Sequence, residues 1–223
     1  IDVEEDELGI ETFCGMPGLN TATMIIEVAG SAVYSTSGYY KAGSSWPRYQ
    51  LFGPSDGPGD SVQFNISVGD SIGFYMKPNL PGENRTWFSE VNLNSDHYDH
   101  ALVFPTGIAH EYLIAWEDMS GGGDADYQDL VIRVTFANHA PELAFSTGDS
   151  AIVACDLDSV CFDIQATDAN CQGDSIWLEM VSGEGDFNPV AGVASIDATH
   201  CFVPTGTGIY QFIFRVEDEL GAF

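Results

Sequence analysis

Short runs of apolar residues alternating with polar ones, separated by Gly- and Pro-containing turns, recur along the first part of the chain. Six of these runs are predicted as strands, at residues 23–28, 64–68, 71–76, 101–104, 111–116 and 129–136. Val, Ile, Phe and Tyr favour strands, and turns such as Pro54-Ser55-Asp56-Gly57 separate them. No long stretch has the apolar spacing of a helix, so the pattern predicts an all-β fold built of sandwiches.

A second β domain is predicted downstream of a short joint, Ala137-Asn138-His139-Ala140-Pro141, which lacks a flexible Gly/Ser linker. Apolar residues alternate in three later runs: Val160, Phe162 and Ile164; Ile176, Leu178 and Met180; Tyr210, Phe212, Phe214 and Val216. We therefore predict an acidic N-terminal arm at 1–20, a β-sandwich at 21–137 and an Ig-like β-sandwich at 138–223. Too few residues follow the turn at 217–221 for another strand, so the Ig-like sandwich is expected to lack its last strand.

Charge narrows the classes of partner. Among 223 residues, 34 Asp and Glu oppose six Lys and Arg, and the formal net charge is −28. Such a chain repels nucleic acid and anionic lipid, so neither partner is expected. No apolar run is long enough to insert into a membrane. Self-repulsion also destabilises a compact fold unless cations offset it, although a halophilic or solubilised surface is an alternative explanation.

The cysteines indicate an oxidising compartment. Cys155, Cys161, Cys171 and Cys201 cluster in the predicted second domain, where three pairings are open. Cys14 stands apart, either as a free buried thiol or as a link to another chain. Two sequons, at Asn65 and Asn84, are candidate glycosylation sites. The chain starts without Met or a signal peptide, so we expect a mature secreted form at the cell surface.

The most informative motif is the acidic segment between the strands predicted at 111–116 and 129–136. It reads Trp116-Glu117-Asp118-Met119-Ser120-Gly121-Gly122-Gly123-Asp124-Ala125-Asp126-Tyr127-Gln128-Asp129-Leu130. Calcium takes six to eight oxygen ligands in flexible geometry, and glycines let the backbone turn tightly around an ion. Magnesium demands a stricter octahedron, and zinc prefers His or Cys. The candidate calcium ligands are therefore Glu117, Asp118, Asp124, Asp126 and Asp129, against the alternative of a solvated acidic turn.

This motif resembles a domain of unknown function found in bacterial RTX-type adhesins and PEP-CTERM surface proteins. The hallmark is aromatic-Glu-Asp, then Gly-Gly-Asp-x-Asp-aromatic-x-Asp, and it is matched by Glu117, Asp118, Gly122, Gly123, Asp124, Asp126, Tyr127 and Asp129. Upstream agreement, at 25–30, 68–75, 94–96 and 99–101, extends the resemblance to about residues 21–136. The resemblance implies a calcium-binding β-sandwich of a surface protein, with no catalytic role. The second domain resembles bacterial Ig-like and cadherin-like repeats, in which acids at a domain end share calcium.

Weaker acidic sets are further candidates for calcium. Asp96 and Asp99 lie in Asp96-His97-Tyr98-Asp99-His100, whose His-x-x-His pattern is also compatible with zinc. In the second domain the candidates are Asp168, Asn170, Asp174, Glu217 and Asp218. Ordinary polar turns are the alternative for this second group.

Catalysis finds no support, because the five His are scattered and neither a Gly-x-Ser-x-Gly elbow nor a phosphate-binding glycine loop is present.

We expect a calcium-stabilised structural or adhesive protein whose partners are itself, other surface proteins or glycans. One rival is a calcium-dependent carbohydrate-binding module using Trp46 or Trp87, and another is a secreted hydrolase with an acidic pair. A further hypothesis is a head-to-tail filament, in which Leu8, Ile10 and Thr12 of one copy complete the Ig-like sandwich of the next. The alternative, which the sequence leaves equally open, is a fragment of a longer multi-repeat chain.

Overall fold

The computed structural model describes residues 6–14, 18–28, 35–67, 70–79, 85–145, 158–168 and 175–223. Nearly all regular structure in these ranges is antiparallel strand, with two short 3₁₀ turns at Val91–Leu93 and Ser120–Gly122. The chain divides into two compact units, Ile1–Ala137 and Asn138–Phe223. The predicted all-β class is confirmed.

The described residues of the first unit contain ten strands: β1 (Phe13–Cys14), β2 (Asn20–Glu27), β3 (Thr36–Lys41), β4 (Arg48–Phe52), β5 (Ser61–Phe64), β6 (Ser71–Lys77), β7 (Trp87–Phe88), β8 (Ala101–Pro105), β9 (Glu111–Trp116) and β10 (Leu130–Thr135). One sheet has the order β1-β6-β3-β4, with β7 also paired to β6. The other has the order β5-β2-β10-β9-β8. Inward-facing residues of both sheets fill one core, in which Phe74, Trp87 and Trp116 have no exposed surface.

The N-terminal segment belongs to this sandwich. The backbone N–H of Leu8 donates to the carbonyl of Val103 at the edge of β8 (2.9 Å), and β1 pairs with β6. Phe13 is fully buried, and its ring packs edge-on against Phe74 with centroids 5.4 Å apart. The prediction of a solvated arm at 1–20 is therefore wrong for residues 6–14. The prediction failed because Phe13 follows an acidic run, and its strand partner, Ile72, is distant in the sequence.

Six strands form the second unit: β11 (Glu142–Phe145), β12 (Val160–Thr167), β13 (Ser175–Ser182), β14 (Val190–Val193), β15 (Ser195–Phe202) and β16 (Ile213–Asp218). Their sheets are β11-β12-β15 and β14-β13-β16. The core between them contains Ile164, Ile176, Leu178 and Val216. This distribution of consecutive strands between two sheets is Ig-like.

Strand β16 begins at Ile213, further along the chain than the alternating run from Tyr210 predicts. Ile209 is fully exposed, and the hydroxyl of Tyr210 donates to the carbonyl of Gly206 (2.9 Å) while accepting from the N–H groups of Thr205 and Gly206. This arrangement is a tyrosine corner. β16 then pairs with β13, and within the described residues no strand pairs with its other edge.

One of the open disulfide pairings is resolved. Cys161 and Cys201 face each other across β12 and β15, with Cα atoms 4.1 Å apart, and are bonded. Cys14 is disulfide-bonded too, so its interpretation as a free thiol is wrong. Cys155 and Cys171 lie outside the described residues.

The packing of β1 predicts the effect of Phe13→Ala. Deleting a fully buried Phe side chain costs about 3–5 kcal/mol in free energy of unfolding, so the urea midpoint of the first unit should fall markedly. Leu8→Ala is the matched control, because Leu8 is in the same segment but 42% exposed. Equal, small effects of both substitutions would mean that the N-terminal segment is not part of the core.

Candidate metal centre

Strand pairing brings the two ends of the acidic segment together. β9 ends at Trp116, β10 begins at Leu130, and these two residues are paired. The connection at 117–129 must therefore leave and re-enter the sheet at neighbouring points. Glu117 and Asp118 at its start consequently lie beside Asp129 at its end, and the N–H of Asp118 donates to Oδ2 of Asp129 (2.8 Å).

Glycines let this connection fold tightly. Gly121, Gly122 and Gly123 all have positive φ, at 71°, 87° and 45°. A Cβ on Gly123 would overlap Oε1 of Glu117, whereas a Cβ on Gly121 would meet nothing within 4 Å. Gly123 is thus required both for its backbone angle and for the space that the Glu117 carboxylate occupies.

The five predicted ligands converge in two overlapping groups. Carboxylate oxygens of Glu117, Asp118 and Asp129 lie within 4.8 Å of one another, and so do those of Glu117, Asp124 and Asp126. Glu117 belongs to both groups. Each group contains only carboxylates, which are ligands suited to hard cations. Either group has the geometry to hold a metal ion.

Burial makes this cluster unusual. Glu117 is 1% exposed and Asp118 is 5% exposed. Oε2 of Glu117 is buried and accepts no hydrogen bond from any residue that the structure describes, although Oε1 accepts the N–H of Met119 (3.2 Å). A buried carboxylate oxygen without a donor costs free energy that a cation would offset.

The electrostatic consequence is a set of raised pKa values. Burial, together with the charges of Asp129, Asp124 and Asp118, raises the pKa of Glu117 to about 7. Burial and Asp129 raise the pKa of Asp118 to about 6, and burial raises that of Asp129 as well. Like charges this close cannot all ionise at neutral pH without a compensating cation.

Three side chains from outside the connection hold its main chain. The indole Nε1 of Trp87 donates to the carbonyl of Asp118 (2.7 Å), and Nδ1 of His100 donates to the carbonyl of Glu117 (2.9 Å). The carboxylate of Asp96 accepts from the N–H of Gly121 (2.9 Å) and from Ser120 Oγ (3.1 Å). Trp87 was predicted only as an exposed ring, because its two-residue strand shows no periodicity that would indicate burial.

Asp96 and Asp99 belong to neither of the two carboxylate groups, so their role as calcium ligands stays a prediction. Besides Gly121 and Ser120, Asp96 accepts from the N–H of Tyr98 and contacts His100 Nε2 (3.1 Å). Burial raises its pKa, but these hydrogen bonds and His100 outweigh burial and hold the pKa well below the usual range. Asp99 accepts the N–H of Ala101. Both carboxylates therefore already have donors.

The predicted ligands of the second unit form no metal-binding group in the described residues. Oδ1 of Asp218 accepts the N–H groups of Leu220 and Ala222, and Oδ2 accepts from Asn138 (2.8 Å). Glu217 lies 3.6 Å from Arg215. Asp168 is buried, while Asn170 and Asp174 lie outside the described residues. Asp218 thus stabilises the turn after β16, and the structure does not support the prediction that Glu217 and Asp218 bind calcium.

The other predicted surface sites are placed as follows. Trp87 is fully buried and unavailable to a glycan, whereas Trp46 is 69% exposed beside Arg48. Asn65 is exposed just after β5, and Asn84 lies outside the described residues. No helix among the described residues is long and apolar enough to cross a membrane.

Comparison with known families finds one similarity, over the segment that contains this centre, and it assigns no function. Residues 58–137 match the family described as Domain of unknown function (DUF4114). The match includes β9, β10 and the whole acidic connection between them. No curated protein and no solved structure matches the chain.

The raised pKa values predict how stability depends on pH when metal is removed. Glu117 and Asp118 bind more protons in the folded than in the unfolded chain between about pH 4.5 and 7, so the free energy of unfolding falls as pH rises through this window. Asp96 has the opposite shift, and its contribution is lost only below this window. Melting in EDTA from pH 5 to 8 should therefore show falling stability, with a shallower slope in Glu117→Gln. An equally steep slope in that variant would assign the effect to overall charge instead.

Proposed function

We propose that this chain is an extracellular structural module of a surface or adhesive protein, whose first unit is stabilised by calcium bound at residues 117–129. The observation that carries the proposal is Oε2 of Glu117, a buried carboxylate oxygen without a hydrogen-bond donor where two carboxylate groups overlap. A cation bound to this oxygen would offset the free-energy cost of its burial. The resemblance to a domain of bacterial RTX-type adhesins and PEP-CTERM surface proteins supports the same assignment.

Calcium suits this centre better than other common metals. Neither group of carboxylates includes a His or Cys side chain, which zinc sites ordinarily use. The connection at 117–129 is irregular, because Ala125 and Tyr127 also have positive φ. Calcium accepts ligands in such irregular arrangements, whereas magnesium demands a near-ideal octahedron. The two groups could share Glu117 around one ion or around two neighbouring ions.

An extracellular location agrees with this choice of metal. Extracellular modules bind calcium with dissociation constants on the order of 10⁻⁴–10⁻³ M, near the concentration of calcium outside cells. The Cys161–Cys201 bond is typical of oxidising compartments. A net charge of −28 is also better tolerated where divalent cations are abundant.

A carbohydrate-binding module remains the alternative function. The exposed ring of Trp46 supports it, because sugars stack on exposed aromatic rings. Trp87, the other predicted ring, is fully buried and does not. Glycan-array binding that is lost in Trp46→Ala would favour this alternative over a purely structural role.

Assembly through the second unit is a further proposal. No strand among the described residues pairs with the outer edge of β16. Ile213 on β16 and Phe145 on β11 of the other sheet are partly exposed. Such an edge accepts a strand from another molecule, and we propose a second copy of this chain. Residues 8–14 pack within their own unit, so they are not the donor in this arrangement. Sedimentation in millimolar calcium should show concentration-dependent association, and a monomer at all concentrations would contradict it.

The calcium proposal predicts a melting difference that depends on Gly123. With the dissociation constants above, millimolar calcium should add about 0.4–1.4 kcal/mol per ion to the free energy of unfolding. Gly123→Ala should abolish most of the difference between calcium and EDTA, because its Cβ displaces the Glu117 carboxylate.

Gly121→Ala is the matched control for this experiment. Gly121 also has a positive φ, but its ψ of 16° places it in the left-handed region, which L residues tolerate better than the φ of 45° and ψ of −118° of Gly123. Its Cβ would meet no neighbouring atom, so Gly121→Ala should lower stability modestly in both buffers and keep the calcium-dependent difference. Wild-type melting curves that coincide in calcium and EDTA would refute the proposal.

A further inference from the structure

The acidic connection is held by a group of three side chains, Trp87, His100 and Asp96, which we call the clamp. Trp87 and His100 are fully buried, and their rings stack with centroids 3.8 Å apart and planes inclined by 10°. His100 Nε2 lies 3.1 Å from Asp96 Oδ2. The three side chains thus form one continuous unit from β7 to the 96–100 loop.

Each member of the clamp fixes a different point of the connection. Trp87 binds the carbonyl of Asp118, His100 binds the carbonyl of Glu117, and Asp96 binds the N–H of Gly121. The N–H of Glu117 also donates to the carbonyl of His100 (3.0 Å). The main chain is therefore held on both sides of Met119. The anchors before Met119 are at Glu117 and Asp118, the two residues that carry the buried carboxylates.

We propose that Trp87, His100 and Asp96 are positioning residues that preorganise the cation site. The inference rests on the proposed function, since it concerns the calcium affinity of the same carboxylates. With the carbonyls of Glu117 and Asp118 engaged by the clamp, their side chains are directed towards Asp129 instead. Without the clamp, calcium binding would have to order this segment itself, and affinity would fall.

Calorimetric titration with calcium alone, on folded protein well below each variant's melting temperature, tests this proposal. Trp87→Phe keeps an aromatic ring against His100 but loses the donor to Asp118, and should raise the dissociation constant about 10-fold. His100→Ala should have at least as large an effect. His100→Asn, whose amide nitrogen lies near the position of Nδ1, should recover part of the lost affinity.

Ser89→Ala separates positioning from general destabilisation. Ser89 is buried just after β7 and bonds the N–H of Phe74 and the carbonyl of Glu11, so its loss should lower the melting temperature. It makes no hydrogen bond to the acidic connection, so the dissociation constant should stay within about 2-fold of wild type. A matching loss of affinity in Ser89→Ala would overturn the positioning role.

Two failures are distinguishable. If the wild-type protein takes up no calcium, the proposed function fails and the clamp loses its role with it. If the wild-type protein binds calcium and folded Trp87→Phe and His100→Ala bind it equally well, the function stands and only the clamp is refuted.

Discussion

Mutual repulsion between buried carboxylates is the constraint around which the first unit is built. Glu117, Asp118 and Asp129 are drawn together because β9 and β10 are neighbours in the sheet. Burial denies Glu117 and Asp118 the water that would screen their charges, and Asp129 is half-buried beside them. Hydrogen bonds meet only part of this cost, since Oε2 of Glu117 has no donor. The pKa values of all three carboxyl groups are raised by burial and by the neighbouring negative charges. Either protonation or a bound cation reduces this repulsion.

The surrounding structure makes this arrangement possible. Trp116 places the start of the connection in the sandwich core, and Gly123 leaves room for the Glu117 carboxylate. Asp96 shows the contrast that defines the centre. Burial raises the pKa of this neighbouring carboxylate, but hydrogen bonds from Gly121, His100 and Tyr98 outweigh burial and hold the pKa below its usual range. Asp96 therefore holds the backbone of the connection, whereas the carboxylates of Glu117, Asp118 and Asp129 lie close to one another.

The sequence predicted the parts of the fold whose pattern is local. Strand 111–116 is reproduced as β9, and 71–76 differs from β6 by one residue, because both are regular apolar runs. β3 and β4 were missed, since Gly38 and several polar residues interrupt any alternation, and Gly38 is needed where the chain approaches Tyr49. The strand predicted at 64–68 lies instead at Ser61–Phe64, where its pairing with β2 ends at Asn20.

The site was predictable to the same extent. The five candidate ligands stand in one short motif, so composition and glycine spacing were enough to predict that they lie together. The buried state of Glu117 and the clamp depend on residues about 20–30 positions away in the chain, and such contacts leave no local pattern. The hydrogen bonds of Asp96 were not predicted for this reason, because its donors, Ser120 and Gly121, come from the distant connection.

Anomalous diffraction from crystals grown in calcium tests the central claim most directly. The account predicts a calcium peak about 2.3–2.6 Å from Oε2 of Glu117, with further ligands from Asp118 and Asp129 or from Asp124 and Asp126. A well-ordered connection with no peak there, and with a water molecule or protein donor on Oε2 at millimolar calcium, would contradict it.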